Sequence, residues 1–324
     1  MPTDCHIHFL PPELLMPEIG SKVGPSISYS QGEQYLVYQK GNPLDSVVRD
    51  FSRLEVVKSQ SHQIGIDRLV LSPWVAMLPL DEDPPLAAEI CRRHNLAMAT
   101  EVSKSQDVVG LAAIPMQDPE LAISVLREAL DMGLKGAEIT PSCQGVFIGD
   151  PSLNDFWKEI QLLRTTVAVH PSTRGLDMAV FSQRYLWNSL ANPVETALAA
   201  SQLVLNGQME RYLGLKILLA HGGGALISVM GRIEHSHKVR KEVFEALAHP
   251  PSWSFQKFYY DTITHDPLLL ESLVEKVGSS QVVLGTDHPF DMGEYQGQVS
   301  QIRSTFSVED AELILDGNAQ KLFW

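Results

Sequence analysis

The sequence predicts an α/β chain folded as a parallel (β/α)8 barrel of the TIM type. Three observations point there. Short apolar, strand-like runs alternate with amphipathic helical stretches, and no linker or low-complexity tract interrupts them, so residues 1–324 read as one domain. Several of the runs end in a metal-ligand or acid–base residue, and barrel enzymes place their chemistry at the carboxyl ends of their strands. The rival, a doubly wound open sheet, needs a glycine-rich phosphate loop after its first strand, and Phe9-Leu10-Pro11-Pro12 supplies none.

The first strand is expected near 3–8. The stretch 11–50 holds several Pro, Gly, Ser and Tyr residues and is too long and irregular for one strand-to-helix loop. It is expected to be an insertion covering the carboxyl-terminal mouth. Further strands are expected near 67–72, 108–115, 136–140, 166–170, 216–221, 258–263 and 281–286. Between them, helices are expected at 118–132, 153–164, 193–207, 224–247 and 267–277. Asp118-Pro119 and Asn192-Pro193 each set a capping side chain before a first-turn proline, and Gly133 suits a helix end. Residues 172–192, with Arg174, Trp187 and Asn192, are expected to form a second cover.

Composition narrows the function. Hydrophobic residues make up 44% and charged residues 20%, the balance of an ordinary water-soluble enzyme. A formal charge of −14 argues against nucleic acid, which needs clustered Lys and Arg. A small anionic substrate stays open, because one or two buried arginines reverse the local field. No run of about 18 apolar residues suggests a membrane partner. Cys5, Cys91 and Cys143 form no CxxC and no even-numbered disulfide framework. Cys5 reads as a packing residue in the barrel wall. With no signal peptide ahead of the first strand, the expected compartment is the cytoplasm.

The chemistry starts at His6 and His8. Residues i and i+2 of a strand project from one face, so both imidazoles can meet one metal ion. Three later runs end in a similar way: Val167-Ala168-Val169-His170, Ile217-Leu218-Leu219-Ala220-His221 and Val282-Val283-Leu284-Gly285-Thr286-Asp287. With His6, His8, His170 and Asp287 as ligands, three neutral imidazoles and a carboxylate suit zinc, with manganese or iron as alternatives. His221 is then the acid/base, since imidazole titrates near working pH. The opposite assignment, His221 as ligand and Asp287 as base, stays open. Gly222-Gly223-Gly224 reads either as a turn that admits a carboxylate to backbone N–H groups or as a tightly packed connection. Arg232 alone would be a solvated helix arginine.

These motifs resemble the amidohydrolase-related decarboxylases: Asp4-x-His6-x-His8, Val167-x-Val169-His170-Pro171, His221-Gly222-Gly223-Gly224 followed by Gly231-Arg232, and Gly285-Thr286-Asp287-x-Pro289-Phe290. Ile114-Pro115-Met116-Gln117-Asp118, Asn192-Pro193-Val194-Glu195-Thr196 and Gly317-Asn318-Ala319 extend the likeness over the whole chain. The resemblance implies a zinc barrel with the ligands named above and His221 beside the metal. It implies a homodimer in which Arg232 crosses to bind the substrate carboxylate of the neighbouring site, and Phe290 lining the pocket. It implies non-oxidative decarboxylation of a small aromatic or enol, muconate-type carboxylate. The alternative reaction is that of a metal-dependent hydrolase or hydratase of the same superfamily.

The chain departs from the family pattern in three places. The family's second substrate arginine, in the insertion, is replaced by Gly41-Asn42-Pro43-Leu44-Asp45, with Lys40 and Arg49 nearby. Ser172 stands where many relatives have Trp, and His288 where they often have Tyr. Of the other histidines, His235, His237, His249 and His265 read as surface or interface residues. Trp74 and Met77 read as core, and Glu138 reads either as pointing into the pocket or as a hydrogen-bonded residue at its rim.

Overall fold

The computed structural model describes residues 1–15, 26–29, 34–39, 42–172 and 174–324, and for 15–50 it describes backbone only. Lys40 and Gly41, and the side chain of Arg49, therefore lie outside the described residues. The chain forms two compact units, Met1–Glu138 with Leu284–Trp324, and Ile139–Val283.

In the first unit, β1 (Thr3–Phe9) is buried at every position. Within residues 11–50 lie β2 (Ser26–Tyr29), β3 (Gln34–Gln39) and β4 (Asn42–Val48), an antiparallel sheet in the order β2-β3-β4. Part of what reads as irregular chain is thus regular structure. Tyr35-Leu36-Val37-Tyr38 has the β-branched and aromatic content that strands favour. Asn42–Asp45 lies in the third of these strands.

Helix α1 (Leu54–Gln63) leads into β5 (Arg68–Pro73), which pairs in parallel with β1 and with β6 (Val108–Gly110). The long α2 (Pro84–Val102) makes the crossover, as parallel pairing requires. β7 (Ala112–Ala113) pairs in parallel with β8 (Gly136–Ile139) across α3 (Pro119–Asp131). Asp118 caps α3 by accepting from the N–H groups of Glu120 and Leu121, and Gly133 follows its end at φ +99°. Leu10, Leu14, Phe51, Trp74, Met77 and Ala97 form one buried apolar cluster, so Trp74 and Met77 are core residues as expected.

The carboxyl-terminal segment of this unit returns to β1. Cys5 N–H donates to Leu284 O, Asp287 N–H to His6 O, and His8 N–H to His288 O. Residues 284–288 therefore run beside the first strand.

In the second unit, a hairpin of β9 (Ser142–Cys143) and β10 (Val146–Phe147) precedes α4 (Asn154–Leu163). Then β11 (Thr166–Val169), β12 (Lys216–Leu219), β13 (Tyr259–Asp261) and β14 (Val282–Val283) pair in parallel in that order. Between them come α5 (Asn192–Leu205), α6 (Leu226–Val239) and α7 (Pro267–Val277). Strands of this kind are buried on both faces, which is why they read as continuous apolar runs.

Two expectations fail here. Asn192 does not cap α5: a π-helical turn, Trp187–Ala191, runs into the helix, and Asn192 is buried within it in helical geometry. The helix expected over 224–247 starts at Leu226 and breaks at Arg240, which is extended at φ −117°. A separate turn, Lys241–Phe244, follows.

Candidate functional site

Within the first unit, the sequence places three ligand-type groups on adjoining backbone. His6 Nε2 lies 3.2 Å from His8 Nε2, and Asp287 Oδ1 lies 3.5 Å and 3.2 Å from those two nitrogens. All three residues are buried. If each atom binds a common ion at roughly 2.1 Å, these separations subtend angles of roughly 100–110°, close to tetrahedral. The donor set therefore fits a divalent cation.

Each member of this set is held by a partner outside it. His8 Nδ1 donates to Pro73 O at 3.0 Å, which turns the Nε2 lone pair toward the set. Asp4, fully buried, accepts from the N–H groups of His6 and Thr286 and from the Thr286 hydroxyl. It thereby ties β1 to the turn that carries Asp287. That turn is strained: Asp287 sits at φ +59°. The Tyr295 hydroxyl braces it by donating to Phe290 O. Burial, with the charges of Asp287, Asp4 and Asp291, holds this phenol protonated.

The electrostatics of the set also favour a cation. Burial depresses the His8 pKa, but the Asp287 hydrogen bond, the charges of Glu138 and Asp287 and the Pro73 carbonyl outweigh it and raise the value to about 8.

Within the second unit, His170 follows β11 and is buried. Its N–H donates to Ile139 O, and its Nδ1 donates to Pro171 O at 3.0 Å, which leaves the ring's lone pair on Nε2. The His221 ring lies edge-on to it, with centroids 5.1 Å apart. His221 itself is half-buried and adopts φ +56°. Asp261, fully buried at the end of β13, holds this conformation. Its Oδ2 accepts His221 N–H at 2.9 Å and its Oδ1 accepts Gly222 N–H at 2.8 Å. A carboxylate does meet the glycine-turn N–H groups, and it is the protein's own. The packing reading of the three glycines holds as well: a Cβ on Gly223 would lie 2.8 Å from the Tyr260 ring, and one on Gly224 would lie 2.4 Å from Pro193 O.

Phe290 packs edge-on against His8, with centroids 5.3 Å apart, and tilts against Phe51 and Trp74. Arg232 is exposed on α6. Glu138 is buried at the end of β8. Of the other histidines, His235, His249 and His265 are exposed. His249 stacks on Trp253 and pairs with Glu210. Reading the sequence for ligands passed over Asp261 and the structural role of Asp4. Both work through backbone N–H groups, and only their position at strand ends beside the histidines signals them.

A model of the amidohydrolase family matches residues 3–323. The chain is 34% identical over 260 residues to 2-amino-3-carboxymuconate-6-semialdehyde decarboxylase of Dictyostelium discoideum, covering 78% of this chain and 72% of that protein. Among solved structures it superposes on dihydroxybenzoic acid decarboxylase from Polaromonas, which has bound manganese and the inhibitor 2-nitroresorcinol. There the TM-score is 0.78 at 25% identity, over 100% of this chain and 97% of that one. It also superposes on Metarhizium anisopliae IDCase, with a TM-score of 0.84 at 20% identity, over 99% and 96% of the two chains. The fold is accordingly the α/β TIM barrel. Among the described residues, no helix is long and apolar enough to cross a membrane.

Proposed function

The chain belongs to the amidohydrolase family, and on that premise we propose that it is a metal-dependent, non-oxidative decarboxylase of a small aromatic or enol carboxylate. The observation that carries this reading is the buried triangle of His6, His8 and Asp287, whose spacing suits one divalent ion. We assign His170 as the fourth ligand, supported by its burial and by the hydrogen bond that commits its Nε2. Manganese and zinc both accept such a donor set, and a decarboxylase of similar fold binds manganese. A decarboxylase named for a muconate-type substrate is similar to this chain in sequence, and one named for a hydroxybenzoate is similar in fold, which supports a carboxylate on an unsaturated carbon.

When bound, the ion supplies a Lewis acid that polarises substrate oxygens and offsets the charge developed as CO2 departs. The remaining steps belong to the side chains. The bond between the unsaturated carbon and the carboxylate breaks, its electron pair stays on that carbon, and a proton must arrive there. His221, a half-buried imidazole on a rigid turn, delivers that proton and takes another from solvent. The net change exchanges CO2 for H. Phe290, against His8, excludes water from the reacting face. Arg232, exposed on α6, is assigned to the substrate carboxylate of a second copy in a homodimer, where a guanidinium pairs bidentately.

The test is CO2 release by manganese- or zinc-loaded protein from a panel of hydroxybenzoates and muconate-type acids. His221→Ala should keep its metal and lose turnover by roughly 10²–10⁴-fold. Acid release or water uptake without CO2 would make the protein a hydrolase or hydratase instead.

A further inference from the structure

Glu195 stands in the first turn of α5, fully buried, and the chemistry above gives it no task. A carboxylate in that position is costly unless hydrogen bonds replace its water. Its Oε2 accepts Ser172 N–H at 2.8 Å. Its Oε1 accepts Gly175 N–H at 2.8 Å and lies 3.3 Å from the Ser142 hydroxyl that donates to it. Gly175 is drawn in tightly: a Cβ there would lie 2.4 Å from Ser142 Oγ and 3.0 Å from Glu195 Oε1.

The bond to Ser172 has a second end. Ser172 N–H and Pro171 C=O belong to one planar peptide group, and in a trans peptide they point in opposite directions. Pro171 C=O is the group that accepts His170 Nδ1–H. Glu195 and the His170 ring thus hold the same peptide from opposite edges.

We infer that Glu195 is a positioning residue for the metal site, fixing the orientation and Nδ1–H tautomer of His170 through the Pro171–Ser172 peptide. Three consequences follow from the geometry. The peptide cannot rotate without breaking a charge-assisted bond. The carboxylate polarises the peptide, which makes Pro171 O a stronger acceptor. Nε2 of His170 is therefore presented as a lone pair of raised basicity, the usual effect of an outer carboxylate on a ligating histidine. Here the carboxylate acts at one peptide's remove.

This inference rests on His170 being a ligand, so the experiment separates the two. Glu195→Gln, Glu195→Asp and His170→Ala are made in the full chain. Two quantities are read: the Mn2+ dissociation constant by chelator competition, and the His170 tautomer from long-range 1H–15N spectra of metal-free protein. In Glu195→Gln an amide NH2 must face one backbone donor. Mn2+ binding should weaken about 10- to 100-fold, with His170 shifting from the Nδ1–H form to a mixture. Glu195→Asp keeps two acceptor oxygens and should fall between Glu195→Gln and wild type; it supplies the same readouts if Glu195→Gln does not fold. Wild-type affinity and tautomer in a folded Glu195 variant would overturn the inference. Wild-type affinity in His170→Ala would overturn the ligand assignment beneath it.

Discussion

His8 and His94 are both buried, yet their surroundings leave them on opposite sides of neutrality. Asp287, Glu138 and the Pro73 carbonyl raise His8 to about 8. His94, on α2, has no hydrogen-bond partner at either ring nitrogen among the described residues, and desolvation lowers its pKa from 6.5 to about 4. Between those two values the unfolded chain binds a proton that the folded chain refuses. His94 therefore costs nothing above about pH 6.5, and its penalty grows as the solution is acidified toward pH 4. At about 1.36 kcal/mol per pH unit, this one side chain removes about 3 kcal/mol over that window. His94→Phe, of similar bulk, should unfold at a lower pH than the parent when acid titrations are followed by circular dichroism. Coincident acid midpoints would mean that His94 escapes its burial by local opening.

At the scale of elements, the turn after β12 shows how backbone geometry serves the site. His221 through Gly224 all have positive φ, a run that costs an ordinary side chain roughly 1–2 kcal/mol per residue. Gly224→Ala adds a Cβ 2.4 Å from Pro193 O, in the first turn of α5, and overpacking of this kind costs about 1–3 kcal/mol more. We expect the variant to lose about 3 kcal/mol in denaturant titrations and to lose activity beyond what its folded fraction explains, because His221 moves with the turn. Unchanged stability would show that α5 yields to the extra atom.

The same turn marks what was legible beforehand. Most of the parallel strands could be placed because doubly buried strands are largely apolar, and Asp118 and Gly133 could be placed because each acts locally. The break at Arg240 could not, since no Pro or Gly marks it. Asn192 misled because the cap motif is local, while the π-helical turn before it carries the chain into α5. The ligand-type side chains were visible by identity. The roles of Asp4, Asp261 and Glu195 were not, because what they hold is backbone N–H, which every residue but proline offers.

Over the whole molecule, stability and metal binding should be inseparable. His6 and His8 lie at one end of the chain and Asp287 near the other, and both segments belong to one compact unit. An ion held by all three joins β1 to residues 284–288, and the unfolded chain cannot reproduce that spacing. Binding free energy therefore becomes folding free energy. The net charge of −14 favours uptake of a divalent cation. At free metal a thousand times the dissociation constant, the stabilisation is about 4.1 kcal/mol. Stripping the protein with a chelator should lower its thermal transition by several degrees, and returning Mn2+ or Zn2+ should restore it in proportion to the logarithm of metal concentration. Asp287→Asn keeps a side chain that tolerates positive φ but removes the carboxylate proposed as a ligand. This variant should fold and show almost none of the metal-dependent shift. A full shift in Asp287→Asn would place the ion elsewhere and dissolve the triangle on which the proposed activity depends.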